Sequence, residues 1–320
     1  MRISFVATIL NEEKNIKFLL SSLIHQTKKP DEIIIVDGGS KDKSVQNIRD
    51  FISGIKSEKI RRSIKLISKK GNRSVGRNEG ILKSKGEVIV LSDAGCIPDK
   101  NWVKNITKPF GNNDIEVVSG YYKGVPISNF AKSLIPYVLV MRDRVNPKEF
   151  LPSGRSMAFR KSIWKRFGGF PRECSGNEDY VFAKRLKKVG VKFIFRKNAI
   201  VYWIPRKNIF EAFVMFFRFA IGDSEAGIFR PKAILIILRY LIILWIIVLS
   251  SYLSPSFSIK LASYILVLYI TWAIWKNFKY VKEKSAFFYL PLIQIVSDMA
   301  VIFGTTLGFL KGVWDTKDKQ

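Results

Sequence analysis

Apolar positions in the first 205 residues form short β-branched runs, separated by stretches where they recur every three or four residues. The runs predict strands over Ile3–Ile9, Glu32–Val36, Ile64–Ile67, Val88–Leu91 and Val117–Tyr121. The longer periods predict helices over Glu13–Gln26, Ser44–Ile55, Ser74–Ser84 and Asn101–Lys108, and later over Tyr180–Lys188. Strands alternating with helices predict an α/β fold, a mostly parallel sheet with helices on both faces. Ligands in such folds bind beyond the carboxyl ends of the strands.

The pattern then changes. Ala233–Leu253, Phe257–Trp275 and Ala286–Leu310 are apolar almost throughout. Each is long enough to cross a hydrocarbon core of about 30 Å at about 1.5 Å per residue. Core helices of a soluble domain would show a polar face, and these have almost none. Between the two regions, Asn208–Phe219 is rich in Phe, with Arg206, Lys207, Arg218 and Arg230 around it. That composition predicts an amphipathic helix in the membrane interface, the alternative being a helix packed on the soluble domain. The organisation expected is residues 1–205, a linker helix at 206–231 and a membrane region at 232–320.

Few polar residues interrupt the apolar stretches. Asp298 in the third is costly if ionised, and a structural partnership with Arg239 or a tyrosine is expected ahead of contact with a headgroup or saccharide. Gly304, Gly308 and Gly312 recur every four residues and permit close helix packing. Lys276, Lys279, Lys282 and Lys284 follow the second stretch, whereas Ser254–Ser256 carries no charge. The lysine-rich loop is therefore expected in the cytoplasm. Residues 1–231 then share that side, as part of a multi-pass cell-membrane protein. The tail, with Lys311, Lys317 and Lys319 against Asp315 and Asp318, is expected outside.

Charge follows the same division. Residues 1–231 hold 44 of the 54 Lys and Arg and 22 of the 26 Asp and Glu, hence most of the net +28. Such a domain is drawn to polyanions, and an anionic membrane leaflet is the partner expected. Nucleic acid is not, because zinc-finger spacing, RNP-like aromatics and a basic low-complexity arm are all missing from the sequence. Cys96 and Cys174 form neither a disulfide framework nor a metal pattern, which fits a reducing compartment. MRISFVATIL reads as a strand, not a secretory signal. The single histidine, His25, ends the first predicted helix as a packing or capping residue.

Polar residues follow the strands where a site would need them: Thr8-Ile9-Leu10-Asn11-Glu12-Glu13, then Asp37-Gly38-Gly39-Ser40-Lys41-Asp42, then Ser92-Asp93-Ala94-Gly95-Cys96. Neither a dinucleotide-binding glycine fingerprint nor a Walker lysine is present. A nucleotide would be read here by carboxylates instead of a glycine cradle.

These segments, with Gly76-Arg77-Asn78-Glu79-Gly80-Ile81, Gly86-Glu87-Val88-Ile89, Gly154-Arg155-Ser156-Met157-Ala158-Phe159-Arg160 and Asn177-Glu178-Asp179, resemble the family 2 inverting glycosyltransferases of the Rossmann-like GT-A fold in order and spacing. The resemblance covers roughly residues 3–205. It implies a nucleoside-diphosphate-sugar site at Thr8, Leu10, Glu12, Asp37, Arg77, Ser92, Asp93 and Ala94, and a general base at Asp179. Gly154, Arg155, Glu178 and Arg218 fall to the acceptor or diphosphate. Two positions depart from the family pattern. Gly38 stands where a second aspartate is usual, and Gly95 replaces the carboxylate that normally binds metal. Mg²⁺ or Mn²⁺ would then be held mainly by the substrate's phosphates, with weak, indirect help from Asp93.

Displacement at an anomeric carbon needs a base on one side and stabilisation of the departing diphosphate on the other. Asp179, in the first turn of its predicted helix, is stabilised in its charged form. The expected reaction is sugar transfer to a hydroxyl of a lipid-linked or membrane-delivered acceptor, in cell-envelope glycan synthesis. Transfer to a polyprenyl phosphate is the alternative, although a phosphate acceptor needs no base. A catalytically inactive membrane-tethered carbohydrate- or lipid-binding module rests only on Gly38 and Gly95. A processive polymerase is disfavoured, since three spans offer little wall for a channel.

Overall fold

The computed structural model describes residues 1–174, 176–228 and 230–317, with side chains to residue 310. The elements run β1 (Ile3–Ile9), α1 (Ile16–Ile24), β2 (Glu32–Asp37), α2 (Ser44–Ser53), α3 (Glu58–Ser63), β3 (Ile64–Ser68), α4 (Arg73–Lys83), β4 (Val88–Leu91), β5 (Cys96–Pro98), α5 (Trp102–Thr107) and β6 (Val117–Gly124). They continue with α6 (Asn129–Val138), β7 (Met157–Arg160), α7 (Lys161–Arg166), α8 (Glu178–Lys188), β8 (Phe193–Trp203), α9 (Ile209–Glu225), α10 (Pro231–Leu253), α11 (Pro255–Val281) and α12 (Ala286–Lys317). Two compact units result: residues 1–124 with 141–204, and residues 125–140 with 205 onward. The segment 125–140 lies inside the stretch read from sequence as one domain, yet it packs with the second unit.

In the first unit the sheet order is β3-β2-β1-β4-β7-β6-β8-β5. β3, β2, β1 and β4 are mutually parallel. β7 runs antiparallel to both β4 and β6, and β8 pairs parallel with β6 but antiparallel with β5. The parallel sheet expected is thus its first half, and the second half is mixed. β2 and β4 are buried along their whole length, and β1 is so except at Thr8, as for strands covered on both faces.

Helix α4 lies close on β1 and β2 because two of its positions carry no side chain. A Cβ at Gly76 would come within 2.6 Å of Thr8 Cγ2, and one at Gly80 within 2.5 Å of Val6 Cγ1. Between these glycines in sequence, the Asn78 amide donates to the Phe170 carbonyl and accepts from Trp164 Nε1 and the Phe170 N–H. At the opposite end of the sheet, Glu32 is buried and accepts from Ser4 Oγ, the Lys85 N–H and Lys65 Nζ, a set that satisfies both of its oxygens.

The second unit contains α6 and α9–α12. Three helices, Pro231–Leu253, Pro255–Val281 and Ala286–Leu310, are long and apolar enough to cross a membrane. Lys276 and Lys279 lie on the last turns of α11, not in a loop, and only Lys282–Lys284 belong to the connection. α9 packs along α12, where Gly304 and Gly308 leave room. A Cβ at Gly304 would meet the Phe217 carbonyl oxygen at 2.6 Å, and one at Gly308 would meet Ser224 Cβ at 2.6 Å. Gly312 and the tail charges Lys311, Asp315, Lys317, Asp318 and Lys319 lie outside the described side chains. Asp298 is buried and accepts from Arg239, from Tyr269 Oη at 2.6 Å, from Tyr240 Oη at 3.3 Å and from Gln294 Nε2 at 2.9 Å. It is the structural partnership with an arginine and tyrosines.

Candidate active site

Two loops at the carboxyl ends of β1 and β2 are clipped together. The Asn11 N–H donates to Ser40 Oγ, Glu12 N–H to Ser44 Oγ and Glu13 N–H to Asp42 Oδ2, while Asn11 Oδ1 accepts from the Lys41 N–H. Asn11 adopts φ 57°, a conformation asparagine tolerates better than most residues. Asp37, 5% exposed, accepts from the N–H groups of Gly39 and Ser40, holding its own turn. Gly38 fits closely there: a Cβ would sit 3.1 Å from the Gly71 carbonyl oxygen and 3.3 Å from that of Ile9. Thr8 and Glu12 are half-buried, and Leu10 is exposed on the same rim.

Deeper, Arg77 joins three segments far apart in sequence. Its guanidinium donates to Glu178 Oε1 at 2.5 Å and to Asp93 Oδ1 at 2.8 Å, and lies over the Phe170 ring at 5.5 Å. Arg77 is 3% exposed and Glu178 1%, whereas Asp93 is partly open to solvent. Ser92 and Ala94, on either side of Asp93, are buried. Gly154 rests against the guanidinium, and a Cβ there would lie 2.2 Å from Arg77 Nη2. The Gly154 N–H in turn donates to Asp179 Oδ2 at 2.7 Å, and Ser153 Oγ at 3.2 Å. Asp179 Oδ1 accepts from the Tyr180 N–H at 2.8 Å.

The two neighbouring carboxyls behave oppositely. Burial pushes Glu178 above the ordinary value, despite Arg77 beside it. Burial also opposes the charge on Asp179, but the Arg77 charge and the Gly154 N–H outweigh it and hold Asp179 below the ordinary range. Asp179 is therefore ionised at neutral pH and anchored by three donors.

Arg155 follows in the turn closed by the Ser156 N–H to the Ser153 carbonyl at 2.9 Å. Ser156 fixes that turn in the core: its hydroxyl accepts from Trp102 Nε1 at 2.8 Å and lies 3.3 Å from the Ala199 carbonyl. The Arg155 guanidinium lies over the Tyr122 ring at 5.6 Å and the Trp203 ring at 5.8 Å. Trp203 pairs with Cys96, and the next N–H, of Ile204, reaches the Gly95 carbonyl at 3.2 Å. Cys96 and Cys174 are buried, and burial raises the Cys96 thiol.

The donor set does not fit a protein-held divalent ion. Among the described residues no group of three or more His, Cys, Asp or Glu is placed to hold a metal ion. Asp93 is the one carboxylate of its motif and is engaged by Arg77. Gly95 offers no ligand, although a Cβ there would meet nothing within 4 Å.

Arg77, Asp93, Gly154, Glu178 and Asp179 thus meet in one cluster, with Arg155 next to it and the Thr8–Asp37 rim formed by the same strand ends. Arg218 lies exposed on α9 in the second unit. Sequence reasoning missed Tyr122 and Trp203, which depend on the β6–β8 pairing and carry no motif. His25 is the cap expected, its Nδ1 2.8 Å from the Ser21 carbonyl. A cavity of about 300 Å³ lined by Lys69, Asn78, Glu79, Trp164 and Arg172 contains none of the expected site residues.

The sheet, with carboxylates at the ends of its parallel strands, is that of a GT-A glycosyltransferase. Residues 4–168 match the profile of Glycosyl transferase family 2, and the chain belongs to that family. It is 24% identical over 213 residues to the O-antigen chain rhamnosyltransferase RfbN of Salmonella typhimurium, covering 63% of this chain and 66% of that protein. It is 28% identical over 232 residues to the poly(ribitol-phosphate) beta-glucosyltransferase of Bacillus spizizenii, covering 66% and 36%. It therefore spans about two thirds of the first relative's length and about a third of the second's. Among solved structures, the mannosyltransferase PcManGT from Pyrobaculum calidifontis, in complex with GDP-Man and Mn²⁺, matches with TM-score 0.58 at 17% identity, over 94% of this chain and 87% of that one. S. aureus TarS in complex with UDP-GlcNAc matches with TM-score 0.52 at 19% identity, over 69% and 66%.

Proposed function

We propose that this glycosyltransferase is anchored in the cell membrane by three spans and transfers a sugar, with inversion, from a nucleoside-diphosphate sugar to a hydroxyl of a lipid-linked or membrane-delivered acceptor. Residues 1–205 form the catalytic part, on the cytoplasmic side, where their positive charge meets the anionic leaflet. Residues 206–231 link it to the membrane region, 232–320. The relatives named for O-antigen chains and poly(ribitol-phosphate) support an envelope glycan as the acceptor.

The observation that carries this reading is Asp179, ionised and held by the Gly154 and Tyr180 N–H groups beside the Arg77–Asp93 pair. In the reaction Asp179 takes the acceptor proton as the acceptor oxygen bonds to the anomeric carbon. The old bond's electron pair leaves with the nucleoside diphosphate. Thr8, Leu10, Glu12, Asp37, Ser92, Asp93 and Ala94 receive the nucleotide. Arg77, buried in its ion pairs, acts by holding Asp93 in position. Gly154, Arg155 and Glu178 border the diphosphate and acceptor. A divalent ion, where one takes part, arrives on the phosphates and supplies charge neutralisation there.

Asp179→Asn should leave nucleotide-sugar binding nearly intact and lower turnover by a factor on the order of 10² to 10⁴. Near-normal transfer by this variant would hand the reading to polyprenyl phosphate, an acceptor already ionised. An inactive binding module would show no transfer in the wild type with any donor that stabilises it against heat.

A further inference from the structure

We infer that in this chain the Arg155 guanidinium, and not a protein-held divalent ion, is the fixed positive charge that receives the leaving nucleoside diphosphate. The inference rests on the nucleotide-sugar reading of the site and goes beyond it by assigning the counter-charge. Four observations carry it.

The first is chemical. Gly95 removes the ligand that a metal would need at that position, and Arg77 engages the remaining carboxylate, Asp93. The second is where Arg155 stands. The strand pairing of Trp203 with Cys96 brings the Trp203 ring, and the guanidinium over it, next to the residue that follows Gly95. The charge of Arg155 is felt at Cys96 and Asp179, the two sides of the cluster. The third is that this charge is uncommitted. Arg77 is neutralised by two carboxylates, yet among the described residues Arg155 forms no ion pair. The fourth is that it is built in. Tyr122 and Trp203 are buried and flank it, and the turn that carries it is pinned through Ser156 to Trp102. Stacking on aromatic faces orients a guanidinium without spending its N–H donors. Those donors stay free for phosphate oxygens, which guanidinium geometry matches in pairs.

As the bond between the anomeric carbon and the diphosphate oxygen breaks, the oxygen keeps the electron pair, and Arg155 meets the charge without itself gaining or losing a proton. A fixed charge of this kind needs no reorganisation at the moment of reaction.

The test uses the full chain purified in detergent. Calorimetry with UDP and with GDP is run in EDTA and again with Mn²⁺, on wild type, Arg155→Gln, Arg155→Lys and Gly95→Asp. Wild type should bind at least one nucleoside diphosphate in EDTA, and Mn²⁺ should tighten that binding less than tenfold. Arg155→Gln should weaken binding in EDTA by about tenfold to hundredfold, the usual worth of hydrogen bonds to a charged group. Arg155→Lys should recover part of it. Gly95→Asp, for which there is open space, should create Mn²⁺ binding that is measurable without nucleotide. Binding by wild type only with Mn²⁺, or unchanged nucleotide affinity in Arg155→Gln, overturns the inference and leaves the nucleotide-sugar reading standing. Failure of wild type to bind either nucleotide, or dTDP, under both conditions removes the reading itself and the inference with it.

Discussion

Arg77 joins two carboxylates of the cluster, and its consequences for stability are direct. It neutralises Glu178, which is 1% exposed, and orients Asp93. Removing one partner of a buried pair leaves the other charge uncompensated, at a cost of roughly 3–5 kcal/mol. Arg77→Met should therefore lower the melting temperature by several degrees in detergent, and Glu178→Gln added to it should restore part of the loss. If the second change restores nothing, the buried charge is not the cause. The two carboxyls also predict opposite pH responses. Glu178 is raised by burial, so its folded form holds a proton to higher pH than its unfolded form. Its contribution to stability then declines as pH rises from its ordinary value of 4.5. Asp179 is lowered, so its contribution is present above 3.8 and is lost as pH falls below it. Melting curves across pH should show Glu178→Gln flattening the response above 4.5 only; an unchanged profile there would contradict the raised value. The carboxylates were legible in the sequence because they follow strands in a recognisable order. The pairing of Arg77 with both Asp93 and Glu178 was not, since it spans 16 and 101 residues and depends on how the chain folds back.

At the scale of elements, the periodic apolar runs gave β1 to β4 and α1, α2, α4 and α5 to within a few residues, because each repeats its apolar positions with the period of its own element. α1 starts at Ile16 and not at Glu13, because Asn11 turns the chain and the Asn15 and Ile16 N–H groups both return to the Glu12 carbonyl. β5, β7 and β8 were missed for other reasons. β5 is three residues long and contains Pro98, and β7 is a four-residue run placed by pairing between β4 and β6. β8 carries Arg196, Lys197 and Asn198 in its middle, where the register with β6 shifts. Helix α4 makes a prediction of its own. Gly80 sits against Val6 and Val36, where a Cβ would come within 2.5 and 3.0 Å of their methyls. Gly80→Ala should lift the helix from the sheet and cost about 1–3 kcal/mol, the usual price of overpacking. Because the same helix carries Arg77, nucleotide affinity should fall as well. Gly54→Ala, whose Cβ would make only ordinary contacts with the Asp50 and Phe51 carbonyls, is the control. Equal melting temperatures for the two variants would show that α4 does not need that close approach.

Over the whole molecule, charge and apolarity are divided between two stretches of chain. The apolar helices show it from outside. Leu241, Trp245, Leu249 and Leu253 of α10 and Ile259, Leu266 and Trp275 of α11 all leave half or more of their surface uncovered. In water such a surface would drive association; in lipid it is the expected face. Polar groups turn inward instead, with Asp298 satisfied by four side chains. The proposed sidedness rests on the lysines. Lys276, Lys279, Lys282 and Lys284 cluster around the α11–α12 connection, while Ser254–Ser256 at the α10–α11 turn is uncharged. Positively charged short connections favour the cytoplasm, and the proposed function takes the nucleotide-sugar site to share that side, where such donors are made. Single cysteines at Ser256 and at Lys284, both outside the apolar cores, separate the two orientations. Cys96 and Cys174 are buried and add little background. In intact cells a membrane-impermeant maleimide should label Ser256→Cys and spare Lys284→Cys until the membrane is permeabilised. The reverse pattern would invert the topology and place residues 1–231 outside, away from any cytoplasmic donor. Labelling of both sites in intact cells would mean that α11 does not cross the membrane.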